Sequence, residues 1–148
     1  MKFLIQRVSH ASVTVDGTVI GKIGKGFLVL VGVCQADTKI QADKLIKKMT
    51  GLRIFEDEEG KTNLALKDVG GEVLLVSQFT LYADCKKGNR PSFTKAGDPL
   101  HARQLYEYCL AECKKLLPVV DQGAFGEHMK IQLENDGPFT VLLDTEEL

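Results

Sequence analysis

The chain has 148 residues, 44% of them hydrophobic, enough for one core and short for two domains. Its 19 Lys and Arg against 20 Asp and Glu leave a formal net charge of -1, so any nucleic-acid binding needs a local basic patch. No apolar run approaches the roughly 18 residues of a membrane span, and charges interrupt Met1–Arg7 where a signal peptide would be continuous; the expectation is a cytosolic protein without membrane contact.

In chain order, Phe3 to Val8 alternates loosely as a strand. Ala11 to Val15 alternates cleanly, Asp16-Gly17 turns, and Thr18-Val19-Ile20 returns, a strong hairpin signal. Gly21 to Gly26 is glycine-rich but lies between strands, where it reads as turn chemistry and not as a phosphate cradle. Gly26 to Val33 is an interior strand. Asp37 or Thr38 caps a helix with apolar Ala42, Leu45, Ile46 and Met49, and Gly51 follows its end. Its other face, with Lys39, Asp43, Lys44, Lys47 and Lys48, reads as solvated. Leu52 to Phe55 predicts a short strand, and Asp57 to Gly60 a surface turn without metal-loop spacing.

Gly71 to Tyr82 is the centre of the chain. Val73 to Ser77 has the uncharged, β-branched character of a buried strand. At its end Ser77, Gln78 and Thr80 interleave with Phe79, Leu81 and Tyr82. Polar groups fixed to a core strand suit donors aimed at a substrate oxygen, but Ser77 and Thr80 equally suit hydroxyls that close the strand. Ala83 to Gly97 is a long loop whose Lys86, Lys87, Arg90 and Lys95 face no intervening acid after Asp84. It fits a phosphate-bearing ligand or a solubilising loop.

Asp98-Pro99 opens a second helix, in which Ala102, Leu105, Tyr106, Cys109, Leu110 and Cys113 share one face until Pro118 stops it. Val119 to His128 reads as irregular. Met129 to Glu134 alternates as a half-exposed strand, with Phe139 to Leu143 as its partner across Asn135-Asp136-Gly137-Pro138. The outcome is one α/β domain over 1–148 with a largely antiparallel sheet. The four cysteines form no C-x-x-C pair, the three histidines lack ligand spacing, and there is no dinucleotide or Walker glycine motif, so neither metal nor cofactor is expected.

Ser77-Gln78-Phe79-Thr80, Gly88-Asn89-Arg90-Pro91-Ser92-Phe93 and Asn135-Asp136-Gly137-Pro138-Phe139-Thr140, with the opening Ile5-Gln6-Arg7-Val8 and Ala11 to Val15, resemble the D-aminoacyl-tRNA deacylase family over essentially the whole chain. Asn89 stands where family members often carry Met, and Phe139 where they often carry a β-branched residue. The resemblance implies a sheet curled toward a barrel with two packing helices. It also implies hydrolysis of the ester between a D-amino acid and the tRNA 3′ ribose, and a homodimer whose site is shared between subunits. Carried over residue by residue, Ser77, Gln78, Phe79 and Thr80 form the catalytic segment. Gly137 and Pro138, as a cis peptide from the partner subunit braced by Arg7, form a chirality gate that admits D-residues and glycine. Lys86, Lys87, Arg90 and Lys95 meet tRNA phosphates. Two rivals remain open on the residues alone: a small-molecule esterase or amidase with Thr80 as nucleophile, and a non-catalytic RNA-binding module.

Overall fold

The computed structural model describes residues 1–148. The long strand β1 (Lys2–Val15) is the frame of the sheet. Asp16 and Gly17, with φ of 48° and 77°, reverse the chain into β2 (Thr18–Ile23), Val15 lying opposite Thr18. Left-handed backbone at both central positions is the turn that matches strand twist, and Gly17 adopts it without a Cβ clash. β3 (Gly26–Gly32) then continues along β1, with Val8 opposite Gly26 and Lys2 opposite Gly32. The glycine-rich turn expected at 21–26 is therefore a break between two collinear strands, and Gly21 to Ile23 belong to β2. Close approach explains two of its glycines: a Cβ on Gly26 would lie 1.8 Å from the Glu72 carbonyl oxygen, and one on Gly21 2.4 Å from that of Gln122.

Thr38 caps α1 (Lys39–Gly51), accepting the Ile40 N–H, while Gln41 reaches back to the Thr38 N–H in a capping box. The strand expected from Leu52 starts only at Phe55: β4 (Phe55–Glu56) pairs with β5 (Thr62–Leu64), and a single turn, α2 (Leu66–Val69), leads into β6 (Glu72–Ser77). β6 runs parallel to β3, with Val31 opposite Ser77. After α3 (Pro99–Leu116), whose cap Asp98 accepts the His101 N–H, the segment expected to be irregular contains β7 (Val120–Gln122), parallel to β6. The sheet is thus mixed, antiparallel around β1 and parallel beyond β3. It curls: the Lys22 N–H of β2 donates to Asp121 Oδ2 of β7 at 2.9 Å.

β8 (Lys130–Asp144) corrects the expected C-terminal hairpin. Its two halves do not pair with each other; both lie antiparallel on β1, from Thr14 opposite Lys130 to Lys2 opposite Asp144. Val8 faces Asn135 and Gln6 faces Thr140, so residues 136–139 bulge out opposite Arg7 alone. Pro138 has no N–H to offer a ladder, which suits it to such an excursion. Asn135 closes it from below: its Oδ1 accepts the Phe139 N–H at 2.6 Å and its Nδ2 donates to Thr140 Oγ1 at 2.9 Å. β8 pairs only with β1, leaving its outer edge open.

Alternation along β1 sends Phe3 and Ile5 to one face, where Phe27, Val73 and Leu75 pack against Leu45, Met49, Leu105 and Cys109 of α1 and α3. Val8 and Val13 turn to the other, where Leu28, Leu74 and Val76 meet Ile131 and Leu133 of β8 inside the curl. Tyr106 Oη donates to the Leu75 carbonyl at 2.7 Å, and burial raises its pKa well above the usual phenol range, so α3 is tied to β6 by a neutral hydroxyl. The Met1 α-amino group is buried against Asp37 Oδ1 at 2.7 Å, and Asp37 Oδ2 accepts the Cys34 N–H. No helix is long and apolar enough to cross a membrane.

Candidate active site

Where β3 and β6 end, a cavity of about 630 Å³ opens between the curled sheet, the N-terminal turn of α3 and two loops. That volume suits a nucleoside- or amino-acid-sized group. Val31, Val33 and Val76 make an apolar floor, Pro99 and Ala102 of α3 make one wall, and Ser77, Gln78 and Phe79 make the polar rim. The rim is rigid because β6 is buried at Val73 to Val76 and the Gln78 N–H donates to the Val31 carbonyl at 2.8 Å.

Beyond Gln78 the chain tightens into a 3-10 turn over Phe79–Tyr82. The first N–H groups of such a turn, those of Phe79 and Thr80, have no partner within it. Gln78 Nε2 donates to Thr80 Oγ1 at 2.6 Å, so this hydroxyl is engaged by an amide and not by a base. Phe79 is 52% exposed and meets Phe93 edge-on, ring centres 5.0 Å apart.

Phe93 and Ala96 come from the long basic loop, which is pinned at both ends. Asp84 and Ser92 exchange backbone hydrogen bonds of 2.7 and 2.9 Å, and the Gly97 N–H donates to the Val33 carbonyl at 2.9 Å. The base of the loop thus walls the cavity, and its exposed tip carries Lys86, Lys87 and Arg90. Lys95 lies 3.8 Å from Asp84, a surface pair of little energetic weight.

Arg7 is not a surface arginine at a strand end. It is 7% exposed, in the middle of β1, and has no carboxylate partner. Its Nε donates to the Asp136 carbonyl at 2.9 Å and its Nη1 to the Ile54 carbonyl at 2.6 Å, while the guanidinium lies over the Phe139 ring. The brace therefore takes hold one residue before the Gly-Pro pair. The Gly137–Pro138 bond is cis, and Gly137 has φ of 142°. A Cβ there would lie 3.0 Å from the Phe139 nitrogen and 3.2 Å from Arg7 Nη2.

Two clusters result. Ser77, Gln78 and Phe79 line the cavity, with Thr80 beside them, bonded to Gln78 but outside the lining; Arg7, Gly137 and Pro138 gather at the excursion of β8, and none of these three lines the cavity of its own chain. Lining residues outside the expected set include Phe93 and the segment Phe125 to Met129, which contains His128. The latter has no periodicity, and its only sequence signal is Gly123 and Gly126, the first so close to Met129 that a Cβ would lie 2.6 Å from Sδ.

Fold and cavity together define a single-domain α/β enzyme whose site opens at the C-terminal ends of parallel strands. The family model for D-Tyr-tRNA(Tyr) deacylase matches residues 4–144. The chain is 49% identical over 149 residues to the D-aminoacyl-tRNA deacylase of Thermosipho melanesiensis, covering 100% of this chain and 99% of that protein. It resembles the solved structure of the c-Myc DNA unwinding element binding protein with a TM-score of 0.93 at 39% identity, covering 98% and 99% of the two chains. It also matches a probable eukaryotic D-amino acid tRNA deacylase with a TM-score of 0.83, covering 96% and 97%; at 16% identity that likeness concerns the fold alone. The chain belongs to the D-Tyr-tRNA(Tyr) deacylase family and is a hydrolase acting on ester bonds.

Proposed function

We infer that the chain hydrolyses the ester between a D-amino acid and the 3′ ribose of tRNA, releasing free tRNA and D-amino acid and rejecting L-aminoacyl esters at the Gly137–Pro138 turn. Family membership supports the reaction, and one placement supports the gate: the braced turn is exposed, on a strand whose outer edge is open, and does not line the cavity of its own chain. Such a turn completes a site only by entering the cavity of a second copy, so the working form is a homodimer. The cytoplasm, where charged tRNA is used, is the compartment for this translation quality control.

In the mechanism, water, assisted by the ribose 2′-hydroxyl, adds to the ester carbonyl carbon. The N–H groups of Phe79 and Thr80, with the Gln78 amide, receive the oxyanion; one such donor is worth about 2.7–4 kcal/mol in other hydrolases. Collapse expels the ribose 3′-oxygen, which takes up a proton. Thr80 positions the Gln78 amide and forms no covalent intermediate. The carbonyl oxygens of Gly137 and Pro138 hold the substrate α-ammonium, leaving space for hydrogen but no side chain on one side of Cα. A D-residue turns its side chain outward, an L-residue collides, and glycine passes, so glycyl-tRNA is a substrate too. Lys86, Lys87 and Arg90, with Lys95, meet the phosphates of the tRNA end.

The test is deacylation of D-tyrosyl-, L-tyrosyl- and glycyl-tRNA by the purified protein. Release of D-tyrosine and glycine with the L-ester intact is expected. Equal hydrolysis of both tyrosyl enantiomers would overturn the gate.

A further inference from the structure

At the C-terminal end of α1, Lys44, Lys47 and Lys48 surround a groove with Arg53 and the backbone of Gly51 and Leu52. In a chain of net charge -1, these four cations have no acidic side chain among them; Lys47, Lys48 and Arg53 pair with no carboxylate, while Lys44 donates to a terminal oxygen of Leu148, the last residue of the chain, which also lines the groove. Arg53 is oriented by its bonds to the Asn63 carbonyl and side chain. Complementing the helix dipole accounts for a single cation in the last turn, not for four around one depression.

The groove is also tied to the gate. Arg53 precedes Ile54, whose carbonyl accepts Arg7 Nη1, and Arg7 Nε holds Asp136. The groove and the cavity share no lining residue, and no residue of α1 reaches the cavity. This patch is therefore joined to the Gly137–Pro138 turn through Ile54, Arg7 and Asp136.

We propose that Lys44, Lys47, Lys48 and Arg53 form a second phosphate-binding surface, which grips the backbone of the tRNA whose aminoacylated end the partner subunit's cavity receives. The inference rests on the deacylase reading and adds to it a contact with the tRNA body, separate from the 85–91 loop. Clustered lysines and an arginine, three of the four without a carboxylate partner, suit phosphates spaced along a strand.

The full-length triple variant Lys44→Gln/Lys47→Gln/Lys48→Gln is compared with wild type and with Lys22→Gln/Lys114→Gln/Lys130→Gln, which removes the same charge elsewhere. Binding of uncharged tRNA is measured between about 50 and 200 mM salt. Hydrolysis of D-tyrosyl-tRNA and of D-tyrosyl-adenosine is measured in parallel, and thermal midpoints report folding. The patch variant should show a logarithmic salt dependence shallower by about two to three, one unit or slightly less for each lost phosphate contact. Its KM for the tRNA ester should rise about tenfold at unchanged kcat, with the adenosine ester unaffected. An unchanged salt slope, an equal effect in the control variant, or an equal loss on the adenosine ester overturns the proposal. Should the wild type cleave neither ester, the deacylase reading fails, and the tRNA-binding slope still decides the patch. If the triple variant is less stable, the three single variants are read the same way.

Discussion

The guanidinium of Arg7 lies 4.8 Å from the centre of the Phe139 ring, at the point where residues 136–139 of β8 face a single residue of β1. The arginine thereby acts on the excursion from within the sheet, through the Asp136 carbonyl, and on the segment after α1 through that of Ile54. Arg7→Ala leaves both carbonyls without their donor and should destabilise the fold by about 2–4 kcal/mol in urea denaturation. Arg7→Lys keeps the charge but lacks the planar fork, so it should recover stability only in part and hydrolyse L-tyrosyl-tRNA above the wild-type background.

A side chain at Gly137 would be strained. The φ of 142° and the contacts a Cβ would make with Phe139 and Arg7 predict that Gly137→Ala displaces the turn. D-tyrosyl-tRNA hydrolysis should fall by about tenfold or more, because a gate misplaced by about 1 Å no longer seats the α-ammonium. Wild-type turnover in this variant would remove the turn from the site.

Thr80→Ala discriminates between mechanisms. With its hydroxyl held by Gln78 Nε2 and no base beside it, the variant should retain activity within about tenfold of wild type. A loss of about 10⁴-fold or more in single-turnover kinetics would instead identify Thr80 as a nucleophile.

Asp98 links α3 to acid pH. The His101 backbone N–H, followed by the Gln35 side chain, holds its carboxyl below the usual carboxylate range. The unfolded chain therefore binds this proton first, so the stabilisation is complete above the ordinary carboxylate pKa and is lost as pH falls through the lower folded value. Asp98→Asn should keep the cap and flatten the acid limb of the thermal midpoint, whereas Asp98→Ala should lower the midpoint at neutral pH.

The thiols should separate by burial. Cys109 and Cys113 are buried, and desolvation raises both, Cys113 to about 12. An aromatic disulfide reagent at neutral pH should titrate exposed Cys85 first and half-buried Cys34 more slowly. Cys109 and Cys113 should react only when denaturant opens the α1–α3 packing.

Features fixed by a few neighbouring residues were legible in the sequence. The Asp16-Gly17 turn, the Thr38 and Asp98-Pro99 caps and the apolar faces of α1 and α3 all form where their patterns predict, since each is decided within one turn of chain. The polar strand end at Ser77 to Thr80 was legible as well, because a charge-free run that ends in hydroxyls stands out. The single bulged strand at the C-terminus, where a hairpin was expected, was not. Two alternating runs flanking Asp136-Gly137-Pro138 look alike whether the chain reverses or bulges, and what decides is a partner more than a hundred residues away, β1, long enough to pair with both halves. β7 is three residues long, too short to register a period. The cavity wall from Phe125 to Met129 is assembled by packing alone. The lysines of α1 read as a solvated face because their gathering with Arg53 depends on how the chain leaves the helix.

A turn braced on β8, yet absent from the lining of its own cavity, has a consequence for abundance. Under the shared-site reading a lone chain carries two half-sites that cannot meet, so stereochemical discrimination is a property of the pair. At concentrations well below the dissociation constant, output would scale with the square of the amount of protein, and a modest drop in expression would weaken rejection of wrong-handed residues more than proportionately.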